Sequence, residues 1–451
     1  MNVPSRVLSV APRYTPGADG ATAGHYTIYQ DDLRAAASRL GLPFTILADR
    51  RLHGSPGVLP ALDTTDEQTL TRSLEAVIAT GDLVLIYEGS LTVLGAVSEL
   101  AERIRDVRFV VNLFHPEPGL APAEKRRRRT SPARVPDRIG PNVVVTAETD
   151  ARATLADHLG IPCAGSWRLH TTLWDSPSTA AGSSSRRRDS GPLRVLVPLA
   201  ERGYDRRTAR DIAYVLARLD GCRSGAPVRL TLTGADSTRF SAQVRGPRLE
   251  ALGGRREVGP AAREAYARLF AAHDVVWIPN RTLYRTQSSG KTLDALAVGR
   301  PVIAPEGTWP ATETARWVGE ELSYGAPESI VTLLLDLRTR IGEIHRRLDD
   351  LLPTVRRAYA PESTILHVLE LAGLVPPAPG PGLPALPPPA PSVATGGSAH
   401  EAPERGFGTR RARFDARLLA ERVAVIGPLR HLRRRVLRQI GRLRRSLATP
   451  R

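Results

Sequence analysis

Residues 288–291, Ser-Ser-Gly-Lys, have the side-chain types and the order that hold phosphate. They follow the apolar run Val275, Val276, Trp277 and Ile278, and they open a helical pattern near 291–298 that stops at Gly299 before a second apolar run at Val302–Ala304. Strand, polar loop, helix start, glycine stop and strand follow one another. That order delivers Ser288, Ser289 and Gly290 to a helix N-terminus, where unpaired N–H groups and the positive end of the helix dipole favour an anion. Lys291 adds a full positive charge. Lys125 and Lys291 are the only lysines among 63 Lys and Arg residues, so a lysine here is a specific choice in a chain that otherwise uses arginine. A capped helix with a solvated lysine fits the same residues.

No Asp-x-Asp pair is present, and His, Cys and acidic residues do not cluster at metal-ligand spacings. The site is therefore expected to need no metal and no other cofactor. The two cysteines, Cys163 and Cys222, lie far apart and point to a reducing compartment. The N-terminus carries no apolar stretch of signal-peptide length, and no run of about 18 apolar residues occurs. A cytoplasmic location is expected, with peripheral contact to the inner face of the cell membrane.

The elements that must position these residues alternate between strand and helix. In the first part the expected strands are Val7–Val10, Phe44–Ala48, Leu83–Tyr87, Arg108–Leu113 and Val143–Thr146, with helices over Tyr29–Leu40, Leu70–Ala79 and Val93–Ile104. Residues 176–191, rich in Ser, Gly and Arg, read as a linker. The alternation restarts with strands at Val195–Pro198, Arg229–Thr233, Val275–Ile278 and Val302–Ala304 and helices near 206–219, 261–272 and 291–298. The pattern predicts an α/β protein of two Rossmann-like domains, residues 1–175 and 192–352, with a ligand cleft between them. A last amphipathic helix is expected over 353–374.

The formal charge of +17 is unevenly spread. Residues 375–399 are uncharged and proline-rich, and 400–451 hold 15 Arg against four acids. The body is near-ordinary and the tail strongly basic. Residues 375–399 read as an extended spacer. In the tail, Leu429, Leu432, Val436, Ile440, Leu443 and Leu447 share one helical face among arginines, which suits an anionic membrane surface or a partner helix. The loop 119–138, with Lys125 and four following arginines, suits an anionic acceptor, an acidic lipid surface or a solvated insert.

Asp294, Gly299, Pro301, Val302 and Ala304 together resemble the retaining nucleotide-sugar glycosyltransferases of the GT-B fold (family 4-like, group 1), over about residues 5–374. In that family an acid followed by G-x-P-V-x-A lies in the donor domain, often with a lysine three residues earlier, here Lys291. The resemblance implies that Asp294 accepts hydrogen bonds from a ribose, that Lys291 and Arg202 (with Arg206 or Arg207 as substitutes) neutralise the diphosphate, and that Glu306 meets the donor sugar. It likens Ala23, Gly24 and His25 to the glycine-rich loop of the acceptor domain and His115 to an active-site histidine. The family's second acid, eight positions before Asp294, is Thr286 here. The implied partners are a nucleotide sugar and a glycan or lipid-linked acceptor.

Other classes fit less of the chain. Gly290, Lys291 and Thr292 spell the end of a P-loop, but its first glycine is replaced by Arg285. A nucleic-acid-binding role has only Phe407 and Phe414 for stacking in the basic tail. A catalytically inactive GT-B-like binding protein remains open because of Thr286.

Overall fold

The computed structural model describes residues 3–11, 25–50, 57–63, 67–115, 139–174, 191–198, 206–221, 228–233, 249–252, 260–285 and 287–375. Both sheets described below lie in one compact unit, residues 1–390. The expected linker falls outside the described residues except for Gly191. So do the loop 119–138, the proline-rich segment after Val375 and the whole basic tail.

The first sheet has seven parallel strands: β1 (Arg6–Val10), β2 (Phe44–Asp49), β3 (Val58–Leu62), β4 (Asp82–Ser90), β5 (Arg108–His115), β6 (Val143–Ala147) and β7 (Gly165–Ser166). Their order is β3-β2-β1-β4-β5-β6-β7, with Val7 opposite both Phe44 and Leu83. Around them run α1 (His25–Arg39), α2 (Glu67–Glu75), α3 (Leu91–Arg103) and α4 (Asp150–His158). Successive strand residues face opposite ways, so one strand serves two cores. Leu8, Val84, Ile86 and Phe109 pack with α2 and α3 through Leu70, Leu74, Val97 and Leu100. Val7, Leu83, Leu85 and Val110 pack with α1 through Leu33, Ala36 and Ala37. Burial on both faces is why these strands read as continuous apolar runs.

The second sheet contains β8 (Leu193–Pro198), β9 (Val228–Thr233), β10 (Leu249–Leu252), β11 (Val275–Trp277), β12 (Val302–Pro305) and β13 (Ser323–Tyr324). Its order is β10-β9-β8-β11-β12-β13, again with parallel pairs throughout. Its helices are α5 (Arg206–Gly221), α6 (Pro260–Ala271), α7 (Arg281–Tyr284), α8 (Gly290–Ala297), α9 (Trp309–Val318) and α10 (Pro327–Ala358). In both sheets the strand order reverses beside the first strand, between β1 and β4 and between β8 and β11. Those two points are where such sheets open a crevice at their carboxyl ends.

The helix expected over 353–374 is two helices. α10 runs through Pro353, and a new helix, α11 (Pro361–Leu371), starts after a break at Tyr359–Ala360. Pro353 does not end α10 because Ile330, Leu334, Leu337, Ile341, Ile344, Leu348, Leu352 and Val355 form one buried stripe on both sides of it. Each such buried aliphatic contributes roughly 1.5–3 kcal/mol, enough to outweigh one lost backbone hydrogen bond. Pro361 instead stands in the first turn of α11, where its missing N–H is tolerated. α11 returns to the first sheet, packing Ile365, Val368 and Leu369 against α1.

The chain thus crosses between the sheets at 167–174 and again at 359–361. The two crossings are joined, because the Thr171 N–H donates to the Tyr359 carbonyl at 3.0 Å. Leu173, fully buried, anchors the first crossing in the core of the second sheet beside Phe270 and Val276.

Candidate active site

The N-terminus of α8 is built as its sequence requires. Ser289 caps it, its hydroxyl accepting from the Thr292 N–H at 3.3 Å, and its extended backbone turns the chain into the helix. The helix ends at Gly299, whose φ of 72° lies in the left-handed region. The N–H groups of Gly299 and Arg300 close the last turn on the Leu296 and Ala295 carbonyls. Leu293, Ala295, Leu296 and Ala297 are fully buried, so α8 is clamped along its length and its first turn is held in place.

Lys291 extends from that first turn to the end of β8, where its Nζ donates to the Pro198 carbonyl at 3.2 Å. The loop 288–291 therefore stands at the carboxyl edge of the second sheet, over the switch point between β8 and β11. Glu306 begins the turn after β12 on the same edge and is exposed, its N–H donating to the Tyr324 carbonyl. The turn after β12 is short. α9 already starts at Trp309, after the Thr308 hydroxyl donates to the Pro305 carbonyl at 2.6 Å.

The carboxyl edge of the first sheet meets this loop. Glu148, the residue after β6, accepts at Oε2 from the Ser288 hydroxyl at 2.6 Å. Arg152, one turn into α4, lies 3.7 Å from the same oxygen and stacks over the Phe114 ring at 4.6 Å. Burial pushes the Glu148 carboxyl above the usual carboxylate range, against the opposing pull of Arg152, Ser288 and Tyr87. Its Oε1 is buried without a hydrogen-bond donor.

Asp294 faces the same seam one turn further along α8. Its Oδ1 accepts from the Thr171 hydroxyl at 2.7 Å, the Thr172 N–H at 3.0 Å and the Thr172 hydroxyl at 3.1 Å. Burial raises its pKa from 3.8 to about 6, with these three donors and Tyr266 resisting the rise. The carboxylate expected to meet a ribose thus holds the first crossing in this state of the molecule. A ribose contact requires it to release a threonine or to offer its other oxygen.

Further contacts close the seam. Asp32 on α1 pairs with Arg263 on α6 at 2.9 Å, and His170 stands 3.9 Å from the other Asp32 oxygen. Tyr29 donates to the His170 carbonyl at 2.8 Å and stacks on Tyr87. Burial, followed by Asp294, Glu148 and Asp32, lifts the Tyr29 hydroxyl well above its ordinary pKa, so it stays protonated as a donor.

Of the residues singled out in the sequence, the structure gathers Ser288, Ser289, Gly290, Lys291 and Asp294 on one loop and helix, with Glu306 on the same sheet edge. His115 ends β5 on the opposing edge, paired with Ser90. His25 is the first residue of α1, so the helix begins earlier than expected and His25 is not in the preceding loop. Gly24, Arg202 and Thr286 lie outside the described residues. Sequence reasoning missed Glu148, Tyr29, His170 and the Thr171–Thr172 pair. An acid directly after the strand run Val143–Ala147 was a usable signal, since such a position is a carboxyl edge. The threonines carried none. Among the described residues no group of three or more His, Cys, Asp or Glu is placed to hold a metal ion, and no helix is long and apolar enough to cross a membrane.

No protein-family model matches the chain, and no curated protein matches it in sequence. Solved structures do match it in three dimensions. A glycosyltransferase from Rickettsia africae superposes with a TM-score of 0.53 at 11% identity, over 82% of this chain and 98% of that one. An E. coli trehalose-6-phosphate protein bound with UDP-2-fluoro glucose gives 0.52 at 12% identity, over 82% and 100%. Anabaena HepE in complex with UDP-glucose gives 0.52 at 12% identity, over 82% and 99%. These likenesses establish the fold.

Proposed function

The chain has the GT-B fold, and from that premise we infer that it is a glycosyltransferase. It moves a sugar from a nucleotide-sugar donor to a hydroxyl of a glycan or lipid-linked acceptor. One observation carries the reading: Lys291 bridges from the first turn of α8 to the end of β8, fixing a helix N-terminus and a cation over the switch point of the second sheet. Breaking the sugar–phosphate bond leaves negative charge on the departing nucleoside diphosphate. Preorganised N–H groups of Ser289 and Gly290 and the Lys291 ammonium act on that charge more strongly in the transition state than in the bound donor. The resemblance assigns Arg202 to the same charge, and with the charge so met the reaction needs no metal. The UDP-sugar complexes of two structural neighbours support the donor class.

The acceptor enters from the first sheet, past His115 and His25, and the resemblance assigns Gly24 to the same side. His115 contacts the sugar or the acceptor hydroxyl. Transfer proceeds with retention of configuration, as the resemblance of the Asp294–Ala304 segment implies. The basic face of residues 410–447 brings the body to an anionic membrane surface where a lipid-linked acceptor resides.

Calorimetric titration of the full chain with UDP, GDP, ADP and their sugar conjugates tests the donor site. At least one nucleoside diphosphate should bind and Lys291→Ala should weaken it. Binding without any sugar transfer would favour the inactive binding protein, and no binding at all would overturn the reading.

A further inference from the structure

Glu148 reaches from the end of β6 in the first sheet to the Ser288 hydroxyl at the mouth of α8. Its side chain is fully buried; Oε2 accepts from the Ser288 hydroxyl, the Ser288 N–H and the Tyr87 hydroxyl also act on the carboxyl, and Oε1 itself has no hydrogen-bond donor. Buried polar atoms are nearly always paired, so an orphan at this place marks a group whose partner arrives with a ligand. A second buried hydroxyl without a hydrogen-bond partner, that of Thr292, lies in the first turn of α8.

Ser288 has a single hydroxyl proton. In the described state it is committed to Glu148. An anion at the α8 N-terminus would compete for that proton and would also bring negative charge beside a buried carboxylate. The groups around Glu148 are Arg152 from α4, Tyr87 from β4, Tyr29 from α1, and the N–H and hydroxyl of Ser288. Tyr29 stays neutral, so the positive charge beside Glu148 is Arg152, while Lys291 is turned to Pro198.

We propose that Glu148 is a proton-coupled positioning residue of the donor site: when a diphosphate occupies the α8 N-terminus, Ser288 turns its hydroxyl from Glu148 to the phosphate and Glu148 takes up a proton from solvent. The protonated carboxyl then becomes a donor facing the same site. This rests on the assignment of the 288–291 loop to the diphosphate. Burial, which already raises the Glu148 pKa, favours that uptake.

The test is calorimetric binding of inorganic pyrophosphate and of UDP to the full chain at pH 7, in buffers of different ionisation enthalpy, which reads the protons exchanged. Wild type should take up protons beyond those the ligand itself exchanges, and Glu148→Gln should lose that uptake while still binding. The variant should bind about tenfold tighter than wild type at pH 8, because a like charge is gone, and the gap should narrow as pH falls. Equal proton uptake in wild type and Glu148→Gln, or equal affinity at pH 8, would overturn the proposal while leaving the diphosphate site intact. Failure of wild type to bind either ligand would overturn both. Loss of binding in Glu148→Gln with unchanged melting would show that the carboxylate attracts the ligand through a cation, against the proposal.

Discussion

Replacing Asp294 with asparagine isolates the electrostatics of the seam. The carboxyl is 2% exposed, and its pKa rises from 3.8 to about 6 on folding. Between those values the folded chain binds more protons than the unfolded chain, so stability falls as pH rises through the window and is level above it. The difference amounts to about 3 kcal/mol. Asparagine has the same shape, keeps an oxygen for Thr171 and Thr172 and is neutral at every pH. Wild type should therefore lose about 3 kcal/mol relative to Asp294→Asn between about pH 4 and pH 6.5, while Glu148 and other acids contribute equally to both. Melting curves of the two proteins at half-unit pH steps give the difference, expected at roughly 2 °C per kcal/mol for a body of this size. Asp294→Ala supplies the opposite sign. It leaves three donors buried without an acceptor and should lower stability at all pH values, at about 1 kcal/mol or more per group. Parallel pH profiles for wild type and Asp294→Asn would show that Asp294 is not the buried, threonine-bound group described here.

Other expectations follow from the same contacts. A double-mutant cycle on Asp32→Asn and Arg263→Gln should give a coupling of about 1 kcal/mol in thermal unfolding, discounted for the partial exposure of Arg263, and additive effects would deny the pair. Ser288→Ala should remove a hydroxyl donor from Glu148 and raise the Glu148 pKa further, seen as a shifted carboxyl resonance in NMR titration; an unmoved resonance would contradict the contact. The full chain should float with anionic liposomes and not with neutral ones, losing this on removal of residues 400–451 or in high salt; equal absence of flotation from both would favour a partner helix.

Much of the fold was legible because buried parallel strands leave unmistakable marks. The runs Val143–Ala147 and Leu193–Pro198 are mostly apolar on both faces, and the glycine at 299 announces the end of α8. Short edge elements left little trace: β7 has only Gly165 and Ser166, and β3 contains Pro60 in a half-exposed run. α10 was legible in principle, since its apolar residues recur every three or four positions, but Pro353 drew the helix start to the wrong place. In the site, sequence spacing located the loop 288–291 and Asp294. It could not give their partners, because Glu148 and Thr171–Thr172 lie more than a hundred residues away and meet them only when the sheets face each other. A threonine pair in a crossing segment has no sequence signature.

Release of nucleoside diphosphate from a panel of sugar nucleotides, offered glycan and lipid-linked acceptors, bears most directly on the account. Wild type should turn over at least one donor, and Lys291→Ala should lower kcat by about a hundredfold with a smaller change in donor affinity, since the lysine acts on charge that develops in the transition state. Turnover unchanged by that substitution, or no turnover of any donor with any acceptor, would contradict it.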